Sequence, residues 1–327
     1  MQDESVAILV PFSRWSDWVG DCVRACGRLQ GATAAWELWL IPDEMPDTEH
    51  VRQAQEWAAP LQVMWEPTGP ANPSRKRNAA LKKTKASRIA LVDSDAWPAS
   101  DWLSQALPHL RGKVGIVAGP NLTPDHDALT RRVCGRVMES KLGFGDAYIR
   151  HICAPMQDVR EMPTCNMVYR RAPEINFRED LDTGEDMVFC ADMRARGQRI
   201  LYHPGVRVYH HRRSLWRPFY MQFYGYGFHK GQLQRQKSDI AYWWQAMPAL
   251  LTIYLVAASV LTFVLPYPWQ YCVWGPGLLY AALVGIESAR RARDPIEFLV
   301  AMPAFLVGHV GYGTGYIKGF LSRGTQS

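Results

Sequence analysis

No glycine falls between Val6 and Trp15, a span holding the first apolar run and the loop after it. A glycine-rich phosphate loop near the amino terminus is therefore absent, which argues against a nucleotidyltransferase. Cysteine is sparse and unpatterned: there are seven, an odd number, with no metal-knuckle spacing. Cys22 and Cys26 lie four apart on an expected helix as packing residues, while Cys134, Cys153, Cys165 and Cys190 are scattered. This excludes a disulfide framework and fits a reducing compartment. No pattern of a DNA- or RNA-binding module is present, so nucleic acid is not expected as a partner. The opening Met1-Gln-Asp-Glu is acidic and leads directly into a strand, so no signal peptide is predicted. Long apolar runs are missing before Ala246; the 48% hydrophobic content is unevenly spread, and the long runs all lie behind that point. The net charge of +6 is read as attraction to phosphates and anionic lipid headgroups.

The first part alternates short apolar runs with helical patterns. Val6–Val10, ended by Pro11, reads as a strand, followed by a helix around Asp17–Leu29. Glu37–Ile41 and Leu61–Trp65 are further strands, with a helix over His50–Ala59 between them. This alternation predicts an α/β fold, a mostly parallel sheet with helices on both faces. Gly69–Asn78 is read as a loop opening a helix over Ala79–Lys85. Within it Arg77-Asn78 is a candidate for phosphate or sugar contact, whereas Lys82, Lys83 and Lys85 suit a solvated face.

Ile89–Val92 is a buried strand that stops abruptly at Asp93-Ser94-Asp95. Two carboxylates past the carboxyl end of a strand stand where open α/β sheets bind ligands. Mg²⁺ or Mn²⁺ held by one or two carboxylates completes its shell with substrate phosphates, so a metal–diphosphate site is expected. Taken alone, a turn cap at Asp93 and a solvated Asp95 would explain the pair as well. Asn166 either points into the cleft or satisfies loop backbone. Thr183 reads as the N-cap of a helix running to Gly197, with Asp186 as the reciprocal acid. Ile200–His203 and Val206–His210 are short strands that close this part of the chain.

Pro248–Leu265, Trp269–Ile286 and Phe298–Ile317 are three nearly uncharged runs close to the length of a bilayer span. Trp243, Trp244, Trp269 and Trp274 flank them as an aromatic belt would. Three arginines in Glu287–Arg293 put that loop on the cytoplasmic side, with the first two runs as a hairpin; Lys318 and Arg323 oppose an outside carboxyl terminus. The third run, rich in glycine, either spans or is re-entrant. Ser214–Ser238 mixes aromatic and basic residues and is expected to lie amphipathically in the membrane interface.

The order of Val10-Pro11, Arg77-Asn78-Ala79-Ala80, Val92-Asp93-Ser94-Asp95, Asn166–Arg171, Gly184-Glu185-Asp186 and a strand ending in His210 resembles family-2 glycosyltransferases of the GT-A fold, over roughly residues 5–213. The resemblance implies that Pro11 borders the nucleotide and that Asp43 contacts base or ribose, although Pro42-Asp43-Glu44-Met45 leaves Glu44 open as well. It implies that Asp93 and Asp95 bind metal and diphosphate, that His210 approaches them, and that Asp186 is the general base with Glu185 beside it. No Gln-x-x-Arg-Trp motif is present; Gln222-Phe-Tyr-Gly-Tyr-Gly is the nearest counterpart, so transfer of one sugar rather than polymerisation is expected.

The expected organisation is a cytoplasmic GT-A domain over 1–213, an interfacial segment over 214–246, and a membrane domain over 247–327 with helices at 247–265, 269–286 and 298–317. The expected activity is metal-dependent inverting transfer from a nucleotide-sugar donor to a hydroxyl of a lipid-linked saccharide. It would occur on the cytoplasmic face of the inner membrane, in cell-surface glycan synthesis. Transfer to polyprenyl phosphate is the rival within the class; a Mg²⁺-dependent nucleotidyltransferase or a non-catalytic membrane scaffold are rivals outside it.

Overall fold

A computed structural model describes residues 5–33, 35–181, 183–235 and 242–322. Arg323, Ser238 and Met1–Glu4, which entered the sequence reading, lie outside the described residues. The chain forms two compact units. One comprises the chain up to Pro124 together with Ile149–His211; the other comprises Asp125–Tyr148 and the chain from Arg212 onward.

The first unit runs β1 (Val6–Pro11), α1 (Asp17–Gly27), β2 (Glu37–Ile41), α2 (Thr48–Ala58), β3 (Gln62–Trp65), α3 (Pro73–Lys83), β4 (Arg88–Val92), β5 (Ala96–Pro98), α4 (Trp102–Ala106), β6 (Val114–Ala118) and β7 (Asn121–Leu122). The second unit contributes α5 (Leu129–Met138) and α6 (Lys141–Phe144). The first then resumes with β8 (Gln157–Val159), β9 (Asn166–Arg170), α7 (Glu185–Ala195), β10 (Arg199–Tyr202) and β11 (Val208–His210).

Eight strands form a sheet in the order β3-β2-β1-β4-β9-β6-β10-β8, and β5-β11-β7 form a small second sheet. Pairing is parallel from β3 through β4 and between β6 and β10; β9 is inserted antiparallel between β4 and β6. The inner parallel strands β1, β2 and β4 are buried and apolar beyond their first residue because both faces are covered. Val6, Ile8, Val10, Leu38, Leu40, Ala90 and Val92 face a core with α1, α2 and α4. The alternate residues Ala7, Leu9, Trp39, Ile41, Ile89 and Leu91 face the core under α3 and α7.

Helix α3 begins earlier than the sequence reading placed it. Asn72 accepts from the Arg75 N–H at 3.0 Å and Pro73 occupies the first turn, so the supposed loop is already helix at Lys76, Arg77 and Asn78. The predicted cap of α7 is also corrected. Gly184, at φ 88°, is the N-cap and makes no side-chain cap bond, so Thr183 does not fill that place.

In the second unit, α8 (Arg217–Arg235), α9 (Met247–Val264), α10 (Trp269–Cys272), α11 (Gly275–Arg291) and α12 (Pro295–Leu321) follow. Three helical stretches among the described residues are long and apolar enough to cross a membrane: Trp243–Val264, Trp269–Arg291 and Pro295–Leu321. Much of α9 and α11 presents apolar side chains outward, Phe263 and Leu278 among them, whereas α12 is the more covered of the three. One side of α12 packs Ala301, Ala304 and Phe305 against Val133 and Val137 of α5, Phe219 and Phe223 of α8, and Val284 of α11. Glu297, fully buried, receives Arg132 at 2.8 Å and Arg136 at 3.2 Å.

Candidate active site

Strand β4 ends at Val92 because Asp93 and Asp95 carry charge out of the core, and the turn closes with the Ala96 N–H on the Asp93 carbonyl at 3.1 Å. Beyond that turn β5 pairs antiparallel with β11, placing Ala96 opposite His210. The His211 N–H donates to the Asp95 carbonyl at 3.1 Å, and the His210 Nε2 lies 3.0 Å from Asp95 Oδ1. Sheet pairing thus joins residues more than a hundred positions apart. Asp93, Asp95 and His210 each offer one ligand atom, all within 4.8 Å of one another. Two carboxylates and an imidazole suit Mn²⁺ and tolerate Mg²⁺, so these residues fit the expected divalent cation.

The antiparallel insertion of β9 brings its first residue, Asn166, beside Val92. Its side chain is spent on structure. Oδ1 accepts from Trp102 Nε1 at 2.8 Å, and Nδ2 donates to the carbonyls of Pro120 and Val206. Asn78 likewise donates to the Phe177 carbonyl at 2.8 Å and to Glu179 at 2.9 Å, and accepts from the Phe177 N–H. Pro11 closes β1 opposite Ile41, and Asp43 follows β2 with its N–H on the Ser13 carbonyl.

Lys76, 2% exposed, reaches into this corner. Its Nζ donates to the carbonyls of Phe12 and Ile41 and to Asp43 Oδ1. Sequence reasoning passed over Lys76, since a basic helix face reads as solvated. The Asn72-Pro73 cap was the available signal, because it sets the helical phase that turns Lys76 inward while Lys82, Lys83 and Lys85 stay exposed.

Arg77 joins the two acidic elements. It donates from Nη2 to Asp93 Oδ1 at 3.0 Å and from Nη1 to Glu185 Oε1 at 3.1 Å. Burial nevertheless raises the Asp93 carboxyl above its ordinary range, with Arg77 opposing and Asp95 adding to the rise.

Glu185 and Asp186 form the first turn of α7, where the helix dipole favours negative charge. Asp186 is pushed up to about 7 all the same. Burial is the largest cause, the neighbouring Glu185 adds to it, and Arg150 and the Met187 N–H, 2.8 Å from Oδ1, only partly offset it. Arg150 is itself held by Glu161 at 2.7 Å, a pair that sequence reasoning missed. No local pattern links positions 150, 161 and 186.

The sequence pattern described as Glycosyl transferase family 2 matches residues 7–174, a stretch carrying Pro11, Asp43, Arg77, Asn78, Asp93 and Asp95. The chain belongs to that family. This family-2 glycosyltransferase shares its fold with the mannosyltransferase PcManGT from Pyrobaculum calidifontis, whose structure is in complex with GDP-Man and Mn²⁺. The TM-score is 0.62 at 15% identity, covering 97% of this chain and 87% of that one. S. aureus TarS, solved with UDP-GlcNAc, gives a TM-score of 0.48 at 14% identity, covering 98% of this chain and 93% of that one. No curated protein matches the sequence.

Proposed function

We propose that this glycosyltransferase moves one sugar, with inversion, from a nucleotide-sugar donor to a hydroxyl of a lipid-linked saccharide. The reading is carried by one observation: Asp186, a carboxyl raised to about 7, sits beside a Glu185 that Arg77 ties to the Asp93–Asp95–His210 cluster. Proton acceptor and candidate donor site thereby share one wall. Asp93, Asp95 and His210 would hold Mg²⁺ or Mn²⁺, which supplies Lewis-acid stabilisation of the diphosphate leaving group when bound. Asp43 and Pro11 border the nucleotide in this reading, and Lys76 fixes the Asp43 carboxylate.

Asp186 takes the proton from the acceptor hydroxyl as its oxygen bonds to the anomeric carbon. The bond from that carbon to the diphosphate oxygen breaks, and the nucleoside diphosphate leaves with the electron pair. Attack opposite the leaving group inverts the centre. A polyprenyl phosphate acceptor is already ionised and needs no base, so an Asp186 tuned near neutrality favours a hydroxyl acceptor. The GDP-Man and Mn²⁺ held by the Pyrobaculum mannosyltransferase support a nucleotide-sugar donor with a divalent cation. Three helices of membrane-spanning length and basic Arg290, Arg291 and Arg293 support a lipid-borne acceptor and an inner membrane location with the catalytic part in the cytoplasm.

The test incubates detergent-purified protein and Asp95→Ala with a panel of nucleotide sugars, Mn²⁺ or Mg²⁺, with and without membrane lipid extract. Release of nucleoside diphosphate that needs the metal, rises with extract and is lost in the variant is the expected result. Release of pyrophosphate would instead indicate a nucleotidyltransferase, and no turnover with any donor would leave a scaffold.

A further inference from the structure

The Arg77 side chain is 2% exposed, and its Nε is buried without a hydrogen-bond partner. A buried cation with an unpaired N–H is costly, so its two carboxylate contacts are what keep it there. Those contacts face different tasks: Asp93 belongs to the candidate cation site, and Glu185 opens the helix that carries Asp186. Phe177, stacked on Phe189, has its ring centroid 5.6 Å from the guanidinium carbon.

We propose that Arg77 is a positioning residue that couples the two sites: it holds Glu185 in place and competes with the divalent cation for Asp93. The inference rests on the metal-dependent reading above. It predicts effects of opposite sign. A fixed positive charge on Asp93 opposes a second cation there, so removing it strengthens metal binding even as Glu185 is released and turnover falls. An arginine that only packed the site together would do the reverse, because its loss would loosen the metal-binding residues.

Mn²⁺ is titrated into the full-length detergent-purified protein, and free Mn²⁺ is followed by paramagnetic resonance with no donor present. Asp95→Ala identifies the site by abolishing binding. Arg77→Met is expected to bind Mn²⁺ about fivefold more tightly than wild type while turning over donor far more slowly. Arg77→Lys keeps the charge but not the two-headed geometry, so its Mn²⁺ affinity stays near wild type while turnover is not restored.

Should Arg77→Met fail to fold, Glu185→Gln gives the converse. Position 185 then offers Arg77 only a neutral amide oxygen, Asp93 alone balances the guanidinium charge, and Mn²⁺ binding weakens about threefold. Unchanged or weaker binding in Arg77→Met, or unchanged binding in Glu185→Gln, overturns the coupling. A wild type that binds no Mn²⁺ overturns the metal-dependent reading and the coupling with it, so the two failures are told apart.

Discussion

Asp186 is where opposing effects on one carboxyl have to be weighed. The first turn of α7 and Arg150 favour its charged form, yet burial and the adjacent Glu185 outweigh them and raise it to about 7. A base of this kind gives a kcat that climbs with pH through about 7. Because Glu185 contributes to the rise, Glu185→Gln should move the midpoint of that limb to lower pH. An unmoved midpoint would assign the titration to another group. The same shift has a sign for stability. With the folded value above the unfolded one, the native state binds the extra proton between about pH 4 and 7. Stability is therefore lost as pH rises through that window. Asp186→Asn removes the penalty and should stabilise the protein at pH 8 by roughly 1–2 kcal/mol, the carboxyl's residual contact with solvent discounting the full shift. Thermal melts at pH 8 and pH 4 should show the gain at the first and none at the second. In the same variant transfer should be abolished while calorimetry finds donor binding nearly intact.

At the scale of elements, the close pairing of α8 with α12 was hidden in a composition that reads as aromatic and basic. A Cβ placed on Gly315 would lie 2.1 Å from the Tyr224 carbonyl oxygen, and one on Gly319 would lie 2.0 Å from that of Phe228. The obstacle in each case is backbone, which cannot swing aside, so the two helices must separate. Gly315→Ala should destabilise the detergent-solubilised protein by about 1–3 kcal/mol, read as a lowered Tm. Gly225 lies in the same α8 with nothing near its missing Cβ, and Gly225→Ala should be neutral or raise Tm through helix propensity. Equal losses at both positions would sink the account. The legible signal was the four-residue glycine spacing of Gly227 with Gly231 and of Gly311, Gly315 and Gly319, which an amphipathicity reading does not weigh. Helix α3 teaches a related lesson. Its strand neighbours were plain from their apolar runs, but Asn72-Pro73 looked like loop until read as a cap and first turn.

For the molecule as a whole, the strands up to β4 were legible because buried parallel strands announce themselves as apolar runs, whereas their order in the sheet was not. The acidic end of β4 and the Glu185-Asp186 turn were legible for the converse reason, charge placed where a strand or helix must start or stop. The antiparallel setting of β9 was not, since hydrophobicity carries no direction. Nor was the grouping of Asp125–Tyr148 with the carboxyl-terminal helices, which depends on contacts more than 160 positions apart in the chain. Those contacts explain why the excursion holds. Arg132 and Arg136 on α5 converge on Glu297, which also accepts the Arg293 N–H at 2.9 Å and, through its own N–H, is capped by Asp294. Truncating the shared carboxylate strands two arginines against α12. Glu297→Ala should therefore cost about 3–5 kcal/mol, far more than an exposed ion pair is worth. The cost should appear as tryptic cleavage at Arg131, Arg132 and Arg136 under conditions that leave wild type intact. Replacing all three charges at once (Arg132→Met, Arg136→Leu, Glu297→Met) removes the stranded cations, and resistance should return at Arg131, the tryptic site that the variant keeps. If the single variant resists trypsin as wild type does, the ion cluster is incidental and apolar packing of Val133 and Val137 on Phe305 alone holds the segment.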